Sequence, residues 1–261
     1  SGLGLLNLSG RSGQLVGALL IGLVMKHYGA PAALAVIAAG HALAYLAFAR
    51  LHSAGDAAVK EHTPMRQNLR EYVAELRSNG ILMMLVLITA AVEIFGFSFA
   101  TALPELANTR LNLGEDGLGY LHAARAAGGI IAGLAMSLMG QMQRRGLAYL
   151  FVIFAFGASI LLLSVEGTSL FTVCAVGLVA LLATSSDVLT QSMMQLSVVN
   201  KLRGRAMGVW VLAVGIAPVG HLQFGVLSVA IGLSNALAVN GAILVAVGLV
   251  VTLVAPRLRQ L

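Results

Sequence analysis

The chain has 261 residues, 59% hydrophobic and only 10% charged, with a formal net charge of +6. A soluble globular domain carries about 25% charged residues, so this composition leaves too little polar surface to face water and points to lipid as the solvent. The basic surplus sits in short turns without interleaved aromatics, which argues against nucleic acid as a partner and reads as orientation signal and contact with anionic headgroups.

Eight hydrophobic stretches follow one another at roughly 5–25, 31–50, 80–102, 117–139, 147–165, 169–193, 206–230 and 233–255. Each is close to the ~20 residues that cross a bilayer as a helix. The chain opens on Ser1 without a basic leader and enters the first stretch almost at once, so it reads as the back portion of something longer. That stretch carries Arg11 and a Gly13-x-x-x-Gly17 spacing, which lets two helices approach closely in lipid. Between the second and third stretches, residues 51–79 form the one long gap. Thr63 followed by Pro64 makes a helix start there. Met65, Leu69, Tyr72, Val73 and Leu76 then recur at helical spacing opposite Arg66, Arg70, Glu71, Glu75 and Arg77, which predicts a short amphipathic helix on the membrane surface. The last six stretches divide into three and three, and each set opens with a stretch that carries an acid, Glu93 in one and Asp187 in the other. Inverted repeats with polar groups at matching places are a transporter pattern.

Basic residues sort these gaps by side. Lys60, Arg66, Arg70, Arg77, Arg144, Arg145, Lys201, Arg203, Arg205, Arg257 and Arg259, eleven in all, fall in alternate gaps and the tail, whereas the opposite gaps hold two, Lys26 and Arg110. The positive-inside bias makes the first set cytoplasmic, and with it both chain ends. A lone Cys174 within an apolar stretch offers neither disulfide nor metal cluster and reads as a small buried hydrophobe.

Four ionisable residues lie within apolar stretches: Arg11, Glu93, Arg125 and Asp187. A charge near the bilayer centre costs at least ~2.5–3.5 kcal/mol, so each should face a cavity or a partner. With a rise of ~1.5 Å per residue, Glu93 and Arg125 come out near the outer third, and Asp187 and Arg11 about 6–10 Å from the cytoplasmic end. Two acid–base pairs at two depths are geometrically open. Glu93 reads either as the structural partner of Arg125 or as a cavity acid for coupling or cation binding. Arg11 reads either as a partner of Asp187 or as a side chain that snorkels to the cytoplasm. Asp187 has a stronger context, because Thr184, Asp187, Gln191 and Gln195 make a polar stripe at helical spacing that lipid would penalise. His122 and His221 read as hydrogen-bonded or wetted, Trp210 as an interface anchor, and Pro218 as a bend in its span.

Two runs carry a family likeness. The run from Leu103, LPELANTRLNLGEDGLGYLHAARAAGGIIAG, has a Leu-Pro, a Gly-Tyr entering the next helix and a glycine-rich face. The run from Gln195, QLSVVNKLRGRAMGVWVLAVGIAPVGHLQFG, has a Leu-Arg-Gly-Arg turn and spaced Gly215, Pro218, Gly220 and Gly225. In this order and spacing they resemble the seventh-to-eighth and tenth-to-eleventh span regions of major facilitator superfamily transporters, in particular the drug and siderophore exporters. The resemblance implies an all-α membrane protein with eight transmembrane helices: residues 1–50 as the last two helices of an N-terminal half, 51–79 as the cytoplasmic linker, and 80–261 as the complete six-helix C-terminal half, four spans being absent before Ser1. It implies proton-coupled efflux of a small molecule by alternating access, as an antiporter in the inner (plasma) membrane of a bacterium, with Asp187, Glu93, Arg125, Gln191 and Arg11 as transport and coupling residues and no cofactor. Two departures stand out. The antiporter motif of the fifth span appears without its proline, as Gly13-Gln14 and Gly17-Ala18, and the loop from Gly140 to Gly146 lacks the expected acid.

An enzyme is the weaker alternative, since there is no H-E-x-x-H and Gly96-Phe97-Ser98-Phe99-Ala100 misses the last glycine of G-x-S-x-G. A non-transporting receptor or scaffold of the same fold is the other, and it conflicts with Asp187 and Gln191. The charge split makes a direct prediction. Single cysteines introduced at Ser53 and Gly167 should react with an impermeant thiol reagent from opposite faces of the membrane. Labelling of both from one face would overturn the topology.

Overall fold

The computed structural model describes residues 2–50, 74, 76–138, 145–198, 203–254 and 258, and among them all regular structure is helical. Seven helical segments are long and apolar enough to cross a membrane: His27–Ala49, Gly80–Thr109, Gly114–Leu138, Arg145–Ser164, Ser169–Leu196, Ala206–Ile231 and Leu233–Val254. They match seven of the eight expected stretches to within a few residues at most ends, and the eighth, 5–25, falls in the first arm of α1 (Gly2–Ala49). That helix is broken where the sequence places its turn. Gly29 has φ 79°, a conformation that glycine adopts without a Cβ penalty, and Pro31 follows it. Along α1, Ala33 is buried while nearly all of the second arm is exposed, and the helix rests on α4 (Gly114–Leu138).

The span from Gly80 to Thr109 is not one regular helix. It begins as α2 (Gly80–Ala91), passes through a π-turn at Val92–Gly96 and a 3-10 stretch at Phe97–Ala102, and ends as α3 (Leu103–Thr109). Two local features favour this course. The Thr89 hydroxyl donates to the Leu85 carbonyl at 2.7 Å, and such back-bonding bends helices. Downstream, Pro104 supplies no N–H, which suits the first turn of a fresh helix. Asn79 fixes the beginning of α2: its side-chain oxygen accepts from the Leu82 amide at 3.1 Å, and its amide donates to the Ser197 carbonyl at 2.9 Å, just past the end of α6 (Ser169–Leu196).

Two helix pairs pack at backbone distance. Where α4 lies along α6, Gly128 sits so close to the Gly177 carbonyl that no Cβ would fit. Where α5 (Arg145–Ser164) lies along α9 (Leu233–Val254), a Cβ on Gly157 would come within 2.7 Å of the Val245 nitrogen, and one on Gly241 within 2.8 Å of the Leu161 nitrogen. In lipid, where apolar side chains gain nothing by leaving solvent, small residues drive association by allowing this approach. Gly13 and Gly17, which the sequence offered for the same purpose, make no such contact: a Cβ on either would meet no atom within 4 Å among the described residues.

The next span is interrupted, as Pro218 leads one to expect. α7 (Arg203–Val214) ends in a turn at Gly215–Ile216, and α8 (Ala217–Ile231) restarts with Pro218 in its first turn. At the end of the bundle that holds residues 110–113, the Arg110 guanidinium closes the structure. It donates to the Leu163, Val165 and Ser164 carbonyls at 2.7, 3.0 and 3.3 Å and to Ser234 Oγ at 3.0 Å, joining the end of α5 to the start of α9. The surface helix expected from Thr63 lies outside the described residues except for Ala74 and Leu76–Ser78, as does the loop 139–144.

Gly128→Ala should lower the stability of the full-length protein by about 1–3 kcal/mol, as overpacking of a closed site does. Gly133→Ala, on the same helix with open space around it, should be neutral or slightly stabilising. Thermal unfolding in detergent compares the two, and equal melting temperatures would contradict the packing.

Candidate functional site

The polar stripe of α6 is the natural starting point, because it is the longest run of hydrogen-bonding groups inside a span. Thr184 is buried, and Asp187, Gln191 and Gln195 are half-buried. Ser185, Ser186 and Thr190 are buried beside them, so the polar face is wider than the four-residue stripe suggests. Gln195 donates to Met207 Sδ on α7 at 3.2 Å, and Ser192 accepts from Arg145 on α5 at 3.1 Å near the Asn79 end.

Among the described residues, Glu93 and Tyr149 lie within electrostatic reach of Asp187. Glu93, in the π-turn, is 5% exposed and within electrostatic reach of Asp187. Tyr149 on α5 is fully buried, its oxygen accepts a hydrogen bond from Thr190 Oγ1 at 2.9 Å, and it also feels the Asp187 charge. Thus three elements contribute one ionisable group each, with Glu93 and Tyr149 both within electrostatic reach of Asp187. The sequence reading kept Glu93 and Asp187 at separate depths, but charges interact over several ångströms when little water intervenes. Tyr149 went unnoticed in the sequence, although a tyrosine within an apolar span, whose hydroxyl needs a partner, was the available signal.

Arg125 occupies a different neighbourhood. Half-buried on α4, its guanidinium carbon lies 5.7 Å from the centroid of the Phe99 ring, within cation–π range, and His122 one turn earlier feels its charge. Asp187 and Arg125 each hold a further polar or electrostatic partner. For Arg11 the helical backbone is described but the side chain lies outside the described residues, and so does the pairing with Asp187.

A second buried polar group escaped sequence reasoning altogether. Asn240 on α9, 1% exposed, donates to Ser98 Oγ at 3.0 Å and exchanges hydrogen bonds with the Gln223 amide at 3.1 and 3.3 Å. It ties the 3-10 stretch, α8 and α9 together beside the π-turn. Gly220 of α8 completes that contact, since a Cβ there would fall 2.7 Å from Ile94 Cα and 2.9 Å from the Glu93 carbonyl oxygen. His221 pairs with Thr101 Oγ1 at 2.8 Å, the hydrogen-bonded histidine foreseen from the sequence. At the Arg110 end a cavity of about 470 Å³ opens between Glu105, Arg110, Glu166 and Asn235, apart from Asp187.

Two sequence expectations need correction. Cys174 is exposed on α6 rather than buried, because in lipid an apolar side chain has no reason to prefer the interior. Trp210 packs partly buried against the core, and its indole nitrogen is enclosed without a hydrogen-bond partner among the described residues, which is not the position of an interface anchor.

A sequence model of the Major Facilitator Superfamily matches residues 1–219, from the first arm of α1 to the first turn of α8, and includes Glu93, Arg125, Asp187 and Gln191. No curated protein and no solved structure matches the chain.

If Ser98 and Asn240 form one unit, a double-mutant cycle of Ser98→Ala and Asn240→Leu should return a coupling of about 0.6–1.7 kcal/mol, the span measured for interhelical hydrogen bonds in membranes. Additive losses of stability in detergent unfolding would show that the bond carries no net energy.

Proposed function

The chain belongs to the Major Facilitator Superfamily and is an integral multi-pass membrane transporter, and on that premise we propose that it exports a small molecule in exchange for protons, as drug and siderophore exporters do. The carrying observation is the half-buried Asp187 on the polar face of α6, with Glu93 and Tyr149 within its electrostatic reach. An acid inside a span is functional by default because lipid penalises its charge, and two acids within electrostatic reach of each other disfavour carrying both charges at once.

In this reading Asp187 is the principal proton carrier. It is half-buried and so reachable from a water-filled cavity, with Thr184 and Gln191 along the same face to receive substrate. Glu93 is the second acid. Arg125 holds the outer part of the cavity beside Phe99, and Arg11, in the preceding half, is a further candidate coupling residue. Residues 1–50 contribute the last two helices of the N-terminal half, 51–79 the cytoplasmic linker and 80–261 the C-terminal half, with the Arg110 end outside the cell and the C-terminus in the cytoplasm, in the inner membrane of a bacterium. Rocking of the two halves exposes the cavity to each side in turn, and an ion gradient supplies the energy. A receptor or scaffold of the same fold has no use for a half-buried stripe of hydrogen-bonding groups.

The test is efflux driven by a pH gradient from cells expressing the full-length protein, screened against lipophilic dyes and siderophores. With a transported compound in hand, Asp187→Asn should lose gradient-driven efflux at unchanged expression, by at least about 10-fold if one coupling step is removed. Glu93→Gln should lose less of it. Normal coupled efflux by Asp187→Asn would reduce Asp187 to a structural polar residue, and efflux indifferent to the gradient would remove proton coupling.

A further inference from the structure

Of Asp187, Glu93 and Tyr149, only Tyr149 has no role in the reading above. Its position is specific. The residue is 0% exposed on α5, and its oxygen accepts the Thr190 hydroxyl at 2.9 Å. Thr190 itself is 3% exposed and lies one helical turn after Asp187 on α6, so the two face nearly the same way. Because Thr190 occupies the phenol as donor, the phenolic proton still needs an acceptor. A buried hydroxyl rarely goes without one.

The neighbours of Asp187 narrow the choice. Among the described residues of the elements packed on α6, α5 brings Tyr149 and, lower down, Arg145 bonded to Ser192, and α4 brings Arg125 with His122, while Glu93 of the π-turn lies within electrostatic reach of Asp187. α2 has no ionisable residue, and α7 has none over Ala206–Val214. Asp187 is the charged group that acts on Tyr149. We propose that Tyr149, held in place by Thr190, turns its O–H dipole on Asp187 and so sets the pH at which that carboxyl takes up and releases its proton. Tyr149 is therefore a positioning residue, and it transfers no proton itself. This inference rests on the reading of Asp187 as proton carrier.

A hydrogen bond to the charged form of a carboxyl favours that form, so the hydroxyl holds the carboxylate in place and its loss lets the proton bind at higher pH. Tyr149→Phe preserves the ring and removes only the hydroxyl. Purified full-length protein in proteoliposomes is titrated by infrared spectroscopy, using the protonated-carboxyl C=O band that disappears in Asp187→Asn. In Tyr149→Phe the midpoint of that band should move to higher pH by about one unit, the displacement that one charge-assisted hydrogen bond produces. Thr190→Val, which releases the phenol without deleting it, should move the midpoint the same way by less. A packing role for Tyr149 would lower the melting temperature and leave the midpoint where it was. An unchanged midpoint in Tyr149→Phe, with the Asp187 band present, overturns this inference alone. If no carboxyl band is lost in Asp187→Asn, the reading of Asp187 falls and this inference with it.

Discussion

Lipid supplies no hydrogen-bond partner, so every backbone amide and carbonyl within a span needs one inside the protein, and irregular backbone survives only where other segments cover it. The stretch Val92–Ala102 lives under that constraint. It departs from α-helical geometry over eleven residues as a π-turn and a 3-10 stretch, and it is enclosed by α8, α9 and α5. Gly220 lies on the backbone of Glu93 and Ile94, Gly96 faces the Phe156 ring where no Cβ would fit, and Asn240 reaches in to Ser98.

Around this irregular segment the rest of the bundle is stiff. Two glycine-mediated pairs, α4 with α6 and α5 with α9, hold backbones at contact distance, and steric exclusion leaves little room for sliding. Both ends are tied by polar side chains acting on carbonyls: Asn79 on Ser197 at one, Arg110 on Leu163, Ser164 and Val165 at the other. Arg110 lies outside the spans, where burial lowers its pKa from the ordinary value and nearby Glu166 pushes it back up. Its charge is retained in any case, since a guanidinium keeps its proton at every physiological pH. The helical course is interrupted at the π-turn and at the Gly215–Ile216 turn, both touching α8 or belonging to its start.

What the sequence disclosed follows from the same physics. Span positions were legible because insertion depends on summed hydrophobicity over about twenty residues, a quantity composition carries directly. Asp187 and Glu93 stood out for a complementary reason, since a charge in such a span is too costly to be accidental. Which way a span faces was not legible. Cys174 and Trp210 were placed on the wrong side because lipid and protein interior are equally apolar, and the inward face of α6 is marked by its serines and threonines instead. Glycine spacing was ambiguous in the same way: Gly13 and Gly17 have the pattern without the contact, whereas Gly157 and Gly241 have the contact on two helices far apart in the chain. The π-turn was invisible because it depends on Gly220 and Asn240, more than 120 residues downstream.

Access distinguishes the two acids. In the proposed reading Asp187, half-buried on a regular helix, takes its proton from water in a cavity without any rearrangement of backbone. Glu93 is 5% exposed and sits in the π-turn of its span. A proton reaching Asp187 needs only water in the cavity. One reaching Glu93 needs either a relay from Asp187, which lies within its electrostatic reach, or a shift of the π-turn, which Gly220 would transmit to α8 because their backbones touch. Packed contacts of that kind switch between discrete arrangements and do not deform continuously. The division between an acid on regular helix and an acid on a π-turn therefore follows from where glycine allows helices to meet. In the proposed reading, proton occupancy at Glu93 and the position of α8 are parts of one equilibrium.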